Sequence, residues 1–288
     1  MNPAPSVIIF TVLSGLGFGY LAFLGLFSQT AGAPAFLLWG LGFALAVAGL
    51  VSSTFHLGNP QRALRAFTQW RSSWLSREAW AAMLTLAAFA PAALSAWLGL
   101  GWSGAFGMIG TGLAVLTVLS TSMIYTQIKA VPRWHHPSVP AVFVTAALSG
   151  GAILAQSSLV PLLCAALAGA MIWHWVSGDQ SFARAGSTLG TATGLSGLGQ
   201  PQVFELPHTG GNYLMHEMIY VVGRRHVTKL RGIAVLAGAV FPALLLAVAQ
   251  TLPLTIAALA MHLVGVFAQR WLFFAEAEHV VGLYYGRR

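Results

Sequence analysis

The chain of 288 residues is 57% hydrophobic and only 7% charged, whereas a soluble domain carries about a quarter of its residues as charges. With a mean hydropathy of +0.76, this excludes a soluble globular protein and predicts an all-α, polytopic membrane fold. The net charge of +8 raises nucleic acid or acidic lipid as partners, but the placement of the charges reads as topology, and no nucleic-acid partner is expected. Cys164 is the single cysteine and sits in an apolar run. Neither a disulfide framework nor a thiolate-held metal site is therefore available within the chain.

Taken in order, runs of roughly 20 apolar residues predict eight transmembrane helices. They cover Pro5–Ser28, Pro34–Leu57, Ser76–Leu100, Trp102–Ile128, Pro137–Gln156, Leu159–Gly178, Leu230–Gln250 and Leu252–Phe274. The amino terminus, MNPAPSVIIF, lacks a basic start, so the first run reads as a retained span. Proline opens the first, second and fifth spans, where its missing N–H costs nothing. Ser76 is the expected N-cap of the third, with Glu78 in the first turn, where the helix dipole favours an anion. No internal repeat stands out, and the whole chain, 1–288, reads as one eight-helix domain.

The connections around 29–33, 99–103, 156–158 and 250–252 contain no Lys or Arg, and every basic residue falls in the other set. Eight spans put that basic set and both termini on one face, which the positive-inside rule makes cytoplasmic. The one long connection, Asp179 to Lys229, lies on the same face. It begins with a Gly/Ser/Thr-rich stretch and is then rich in aromatic and Met residues. It reads as a cytoplasmic docking loop at 179–229, with a lid folded on its own chain as the alternative.

The stretch Thr54 to Trp80 holds four of the fourteen Lys and Arg residues and separates two apolar runs. His56 closes one span, where Gly58 and Pro60 end it sharply, and Glu78 begins the next. An imidazole near its solution pKa exchanges protons at neutral pH and hydrogen-bonds carbonyl oxygens. Glu78 is placed to pass protons to cytoplasmic water. The plainer readings are an interfacial histidine bonded to a loop carbonyl and a helix-start anion paired with Arg77 or Arg71. Arg62, Arg65, Arg71 and Arg77 serve phosphate headgroups, an anionic partner, or topology alone. Tyr125 is either a hydroxyl donor to a bound headgroup or a belt tyrosine. Arg270, late in the last span, either snorkels to the surface or pairs inward. Trp70, Trp74, Trp80, Trp102 and Trp134 look like interfacial anchors. His174 and His262 match poorly in depth as axial ligands, so no haem is expected.

HLGNPQRALRAFTQWRSSWLSRE, IYTQIKAVPRWHHPSVPAVF and the terminal RWLFFAEAEHVVGLYYG resemble, in order and over nearly the whole chain, the membrane anchor subunits of the dimethyl sulfoxide reductase family. The resemblance implies an eight-span, haem-free subunit in the bacterial inner membrane, binding a quinone (ubiquinone or menaquinone). It implies a molybdenum bis-pterin catalytic subunit and a four-cluster iron–sulfur subunit docked on the cytoplasmic face, with those cofactors held only by the partners. His56 and Glu78 then correspond to the family's quinol-site histidine and important acid, as catalytic and quinone-binding residues. Arg71, Tyr125 and Arg270 are carried as further quinone-binding candidates, and metal ligands as none. The long 179–229 segment is closer to the branch associated with sulfite oxidation, so a sulfite:quinone oxidoreductase is expected. Menaquinol oxidation by a sulfoxide reductase is the alternative. A stand-alone proton-coupled transporter and an anchor that binds no quinone are the competing classes.

Overall fold

The computed structural model describes residues 1–56, 58–205, 213–218 and 226–286, with the side chains of His56, Pro60, Leu214 and Glu217 outside the description. Among the described residues the regular structure is entirely helical. Seven helices are long and apolar enough to cross a membrane. Four of them are α1 (Pro5–Phe27), α2 (Ala33–Ser52), α3 (Trp74–Leu98) and α4 (Ser103–Thr126). After α5 (Ser138–Leu154) come α6 (Val160–Asp179), the span Val227–Val248 and the last long helix, Leu252–Ala275. Prolines sit in the first turn of α1, α2, α6 and the last helix, where the unpaired donors make them harmless. Gly99, in the left-handed region at φ 72°, terminates α3.

The expected fifth span is the exception by length. α5 has 17 residues, about 25 Å at 1.5 Å per residue, which is short of a full hydrocarbon crossing. It is nevertheless interior, because it packs against α1, α4, α6 and the last helix. Short polar helices follow α6: α7 (Ser181–Ala185), α8 (Leu189–Thr193) and α9 (Tyr213–Met218). The seventh span is α10 (Val227–Val235), a π-helical turn over Leu236–Val240, and α11 (Phe241–Val248); α12 is Leu252–Ala275.

α1 is the axis of the bundle. Its apolar window is 78% buried inside the protein, against 28% for α2. Small residues bring its neighbours close, since a Cβ on Gly19 would overlap the Ala147 carbonyl of α5. Such contacts replace the hydrophobic drive that lipid removes. Long-range hydrogen bonds define two ends. At one, the Met1 ammonium donates to Ala277 O at 2.8 Å and Ser52 Oγ to Ser6 O at 3.0 Å. At the other, Gly32 N donates to Ala96 O at 3.1 Å and Gln156 Nε2 to Thr255 Oγ1 at 2.9 Å. The chain starts and finishes its helices at the first end, which carries the described basic residues, and α5 runs from that end to the other.

Several local expectations change. α3 begins at Trp74 with Ser73 in the N-cap position, so Ser76 is not the cap; it is buried within the helix with an unpartnered hydroxyl. Glu78 accordingly lies past the first turn. Trp134 is no interfacial anchor: it is buried, stacks on Phe273 at 5.2 Å and donates its indole N–H to Phe273 O at 2.9 Å. Part of the segment after Asp179 packs on its own chain: α8 and α9 lie against the C-terminal turn Val280–Tyr285, and Tyr284 Oη donates to Ala192 O at 2.8 Å. Beyond α8, Leu198 and Phe204 are fully exposed. Of the expected docking loop, residues 206–212 and 219–225 lie outside the described residues.

Candidate functional site

α3 and α4 pair along their length, and this brings Glu78 inward. The carboxylate is only 4% exposed, and it accepts a very short hydrogen bond from Thr121 Oγ1. Two turns along α3 from Glu78 and one turn back along α4 from Thr121, Thr85 and Thr117 meet at 2.9 Å, each hydroxyl also near a carbonyl of its own helix. A carboxyl group in an apolar bundle is costly unless hydrogen-bonded, and threonines satisfy it without adding charge. Pairing with Arg77 or Arg71 is not what holds it. Arg77 donates instead to the carbonyls of Trp70 (3.0 Å) and Arg71 (2.7 Å), and its guanidinium lies over Trp74. Glu78 is therefore removed from bulk water, contrary to the expectation of direct exchange.

Arg270 reaches the same half of the bundle from α12. It is 2% exposed and does not snorkel. Its guanidinium carbon sits 3.6 Å from the Phe143 ring centroid, Nη1 donates to Gln269 Oε1 at 2.9 Å, and Nε has no partner among the described residues. Cation–π contact offsets part of the desolvation of a buried guanidinium. Tyr125 lies between these groups in a ring of aromatics: Trp134, Phe143, Phe273 and Phe274, all within 5.2–5.7 Å. It is partly buried and packs against the core.

Arg270 and Thr121 share a small internal cavity with Thr11, Ser14 and His262, between α1, α4, α5 and α12. Its volume of about 20 Å³ is enough for one water. His262 donates its Nδ1 proton to the Gly238 carbonyl at 2.7 Å, a carbonyl in the π turn of the seventh span. A second opening faces outward between α3 and α4. It is an apolar groove of about 430 Å³, lined by Trp70, Arg77, Trp80, Ala81, Leu84, Leu113 and Leu116. Ala81 stands one helical turn from Glu78.

The structure thus brings together Glu78, Tyr125 and Arg270. Arg71 stays on the surface, its guanidinium 5.3 Å from the Trp70 ring. The backbone of His56 closes the turn Ser53–His56 after α2, while its side chain lies outside the described residues. Sequence reasoning missed Thr121, Gln269 and Phe143, because threonines in a span look like backbone-bonded residues and a lone phenylalanine carries no signal. It also missed an ion cluster at the same end. Arg231 bonds both Asp179 (2.6 Å) and Glu276 (2.6 Å), and Arg133 bonds Asp179 (2.8 Å). This ties the α4–α5 loop to the ends of α6, α10 and α12. Burial pushes the Glu276 carboxyl above the usual carboxylate range, while Arg133 and Arg231 pull it back. Among the described residues no group of three or more His, Cys, Asp or Glu side chains is arranged to hold a metal.

Comparison with known proteins adds two findings. The sequence profile of the DMSO reductase anchor subunit (DmsC) matches residues 1–172. Along its full length the chain is 30% identical to a sulfite dehydrogenase subunit of Allochromatium vinosum, with 99% of each chain covered. No solved structure matches it.

Proposed function

Because the chain belongs to the DMSO reductase anchor subunit family, we propose that it is the quinone-reactive membrane subunit of a molybdenum/iron–sulfur oxidoreductase that oxidises sulfite. The observation that carries this reading is the buried Glu78 carboxyl beside Thr121, with Tyr125 and Arg270, in the half of the bundle that bears the charges. The full-length likeness to a sulfite dehydrogenase subunit supports sulfite as the partner's substrate. Menaquinol oxidation for sulfoxide reduction is the alternative, and assay of the purified complex with sulfite and with sulfoxides separates the two.

Eight crossings are part of the proposal. With α5 counted, the basic end and both termini face the cytoplasm, as the charge bias requires. The molybdenum and iron–sulfur subunits dock on that face, over Arg62, Arg65, Arg71, Lys129 and the exposed Leu198 and Phe204.

The residues present suit a quinone. The groove between α3 and α4 has the volume of a small-molecule site (about 300–1,000 Å³) and apolar walls open to lipid. Glu78 lies one turn from its wall, and Arg270 keeps an unsatisfied Nε donor. When bound, a quinone would supply two-electron, two-proton chemistry, accepting the two electrons released, with two protons, when sulfite and water become sulfate. His56 would hydrogen-bond a ring carbonyl and exchange a proton with it. Glu78, buried and oriented by Thr121, would hold a proton for the reduced product, and Arg270 would supply a positive potential that favours that product. Electrons and protons arrive from the same face, so turnover moves no net charge across the membrane. The test is His56→Ala in the intact complex: quinone reduction is lost while dye-linked sulfite oxidation continues. Full quinone activity in that variant removes His56 from the mechanism.

A further inference from the structure

We propose that a pocket on the basic face, between the ends of α4 and α6, binds the phosphate group of an anionic phospholipid. It uses none of the residues assigned to quinone and stands whether or not that reading holds.

The pocket has a volume of about 250 Å³. Lys129, His135 and His136 line it from the loop after α4, and Ser181 and Arg184 line it from α7, which continues α6. Both spans finish at this end, α4 at Thr126 and α6 at Asp179. Their continuations therefore lie at the depth of lipid headgroups.

No acidic side chain lines the pocket. Lys129 and Arg184 are exposed, and neither has a carboxylate partner among the described residues. Asp179, close by in sequence, is already held by Arg133 at 2.8 Å and Arg231 at 2.6 Å. Arg184 spends one N–H on the Ser177 carbonyl and keeps further donors for a ligand. The Ser138 backbone N–H donates to His136 Nδ1 at 3.2 Å, so a neutral His136 carries its proton on Nε2 and offers a third donor. His135 completes the wall, its Nδ1–H taken by the Thr126 carbonyl at 2.7 Å. Burial and the Arg184 charge hold His136 below the ordinary histidine pKa, as a pocket of positive potential requires. An ammonium, a guanidinium and an imidazole N–H with no acid among them call for a ligand that brings negative charge and several acceptors. A phosphate brings both.

The surroundings favour a lipid as the source. The His136 ring stands edge to face with Trp173 of α6 at 5.5 Å. Trp173 is exposed, as are Ile172 and Val176 beside it on the same helix face. This apolar strip begins within three turns of Ser181 and leads from the pocket toward the membrane interior. A headgroup seated on Lys129 and Arg184 has a surface for its acyl chains directly below, which a free ion or a partner's carboxylate would not use. Basic pockets between spans on a cytoplasmic face take anionic headgroups in this way.

The experiment uses the complex purified from its membrane and washed with detergent, with phosphatidylglycerol, phosphatidylcholine or inorganic phosphate as the probe. Binding is read as lipid retained in native mass spectrometry and as the rise in unfolding midpoint. Wild type retains phosphatidylglycerol in preference to phosphatidylcholine, and inorganic phosphate leaves the midpoint unchanged. K129Q weakens phosphatidylglycerol binding about fivefold and K129Q/R184Q about 30-fold, while K129R keeps it. An unchanged midpoint of K129Q before lipid is added shows that the fold is intact. Equal retention of phosphatidylglycerol in wild type and both glutamine variants overturns the proposal. A Lys129-dependent shift with inorganic phosphate alone overturns the lipid and leaves a free-anion site. A carbodiimide crosslink from Lys129 to a carboxylate of another subunit, in a complex that retains no phosphatidylglycerol, also overturns it and gives the pocket to docking.

Discussion

The two ends of this bundle are built from the same helices and differ in almost everything else. At the neutral end the polar groups are small and uncharged, and they close loops: Gln156 on Thr255, Trp102 N on Ser95 Oγ at 2.8 Å, Gln250 on the Ser157 carbonyl at 3.4 Å. Each has a partner that explains it. At the basic end polar groups go deeper than any loop requires. Glu78, Arg270 and His174 are each at least 95% buried, and Arg270 keeps an unpartnered donor. Burying an ionisable group in the membrane costs several kcal/mol, and loop closure at the other end shows that the fold does not need it. On the proposed function, chemistry belongs to the basic half and architecture to the neutral one.

If that division is right, Glu78→Gln gives the largest effect. The amide still accepts from Thr121, so the fold is kept, but quinone turnover in the complex falls by about 100-fold or more while dye-linked activity is unchanged. Next comes Thr121→Val, which removes the hydrogen bond that orients the Glu78 carboxyl, worth about 0.5–1.5 kcal/mol. About a tenfold loss of quinone turnover follows, measured in the same paired assay. Glu276→Gln probes the ion cluster at the chemical end without touching the site. Its expected result is a fall of about 5 °C in the unfolding midpoint, with quinone turnover within about twofold of wild type. The smallest effect belongs to the neutral end. Gln156→Ala changes turnover by less than about twofold, and a larger loss there would break the division between the halves.

Much of this division was legible in the sequence, because charges in a membrane protein can sit only where loops or partners accommodate them. Glu78 and Arg270 stood out by the rarity of their residue type at that depth. Their surroundings did not. The direction of Arg270 depended on Phe143 and Gln269, and that of Glu78 on Thr121, a residue whose spacing looks the same whether it serves its own helix or a neighbour. Ser76 looked like a cap because serine favours that place, yet the helix begins two residues earlier at Trp74. α5 was expected to run from Pro137 to Gln156; with Pro137 at its N-cap and Gln156 at φ 51° beyond its end, the helix itself has 17 residues.

The most direct test of the account is to locate the quinone. A photoreactive quinone analogue, activated in the intact complex and mapped by peptide mass spectrometry, is expected to label α3 near Glu78 and Ala81 and α4 between Leu113 and Tyr125. Labelling should disappear with excess natural quinone. Competed labelling confined to the neutral-end connections, at 28–32 or 99–103, or to the partner subunits alone would contradict the assignment of chemistry to the basic half.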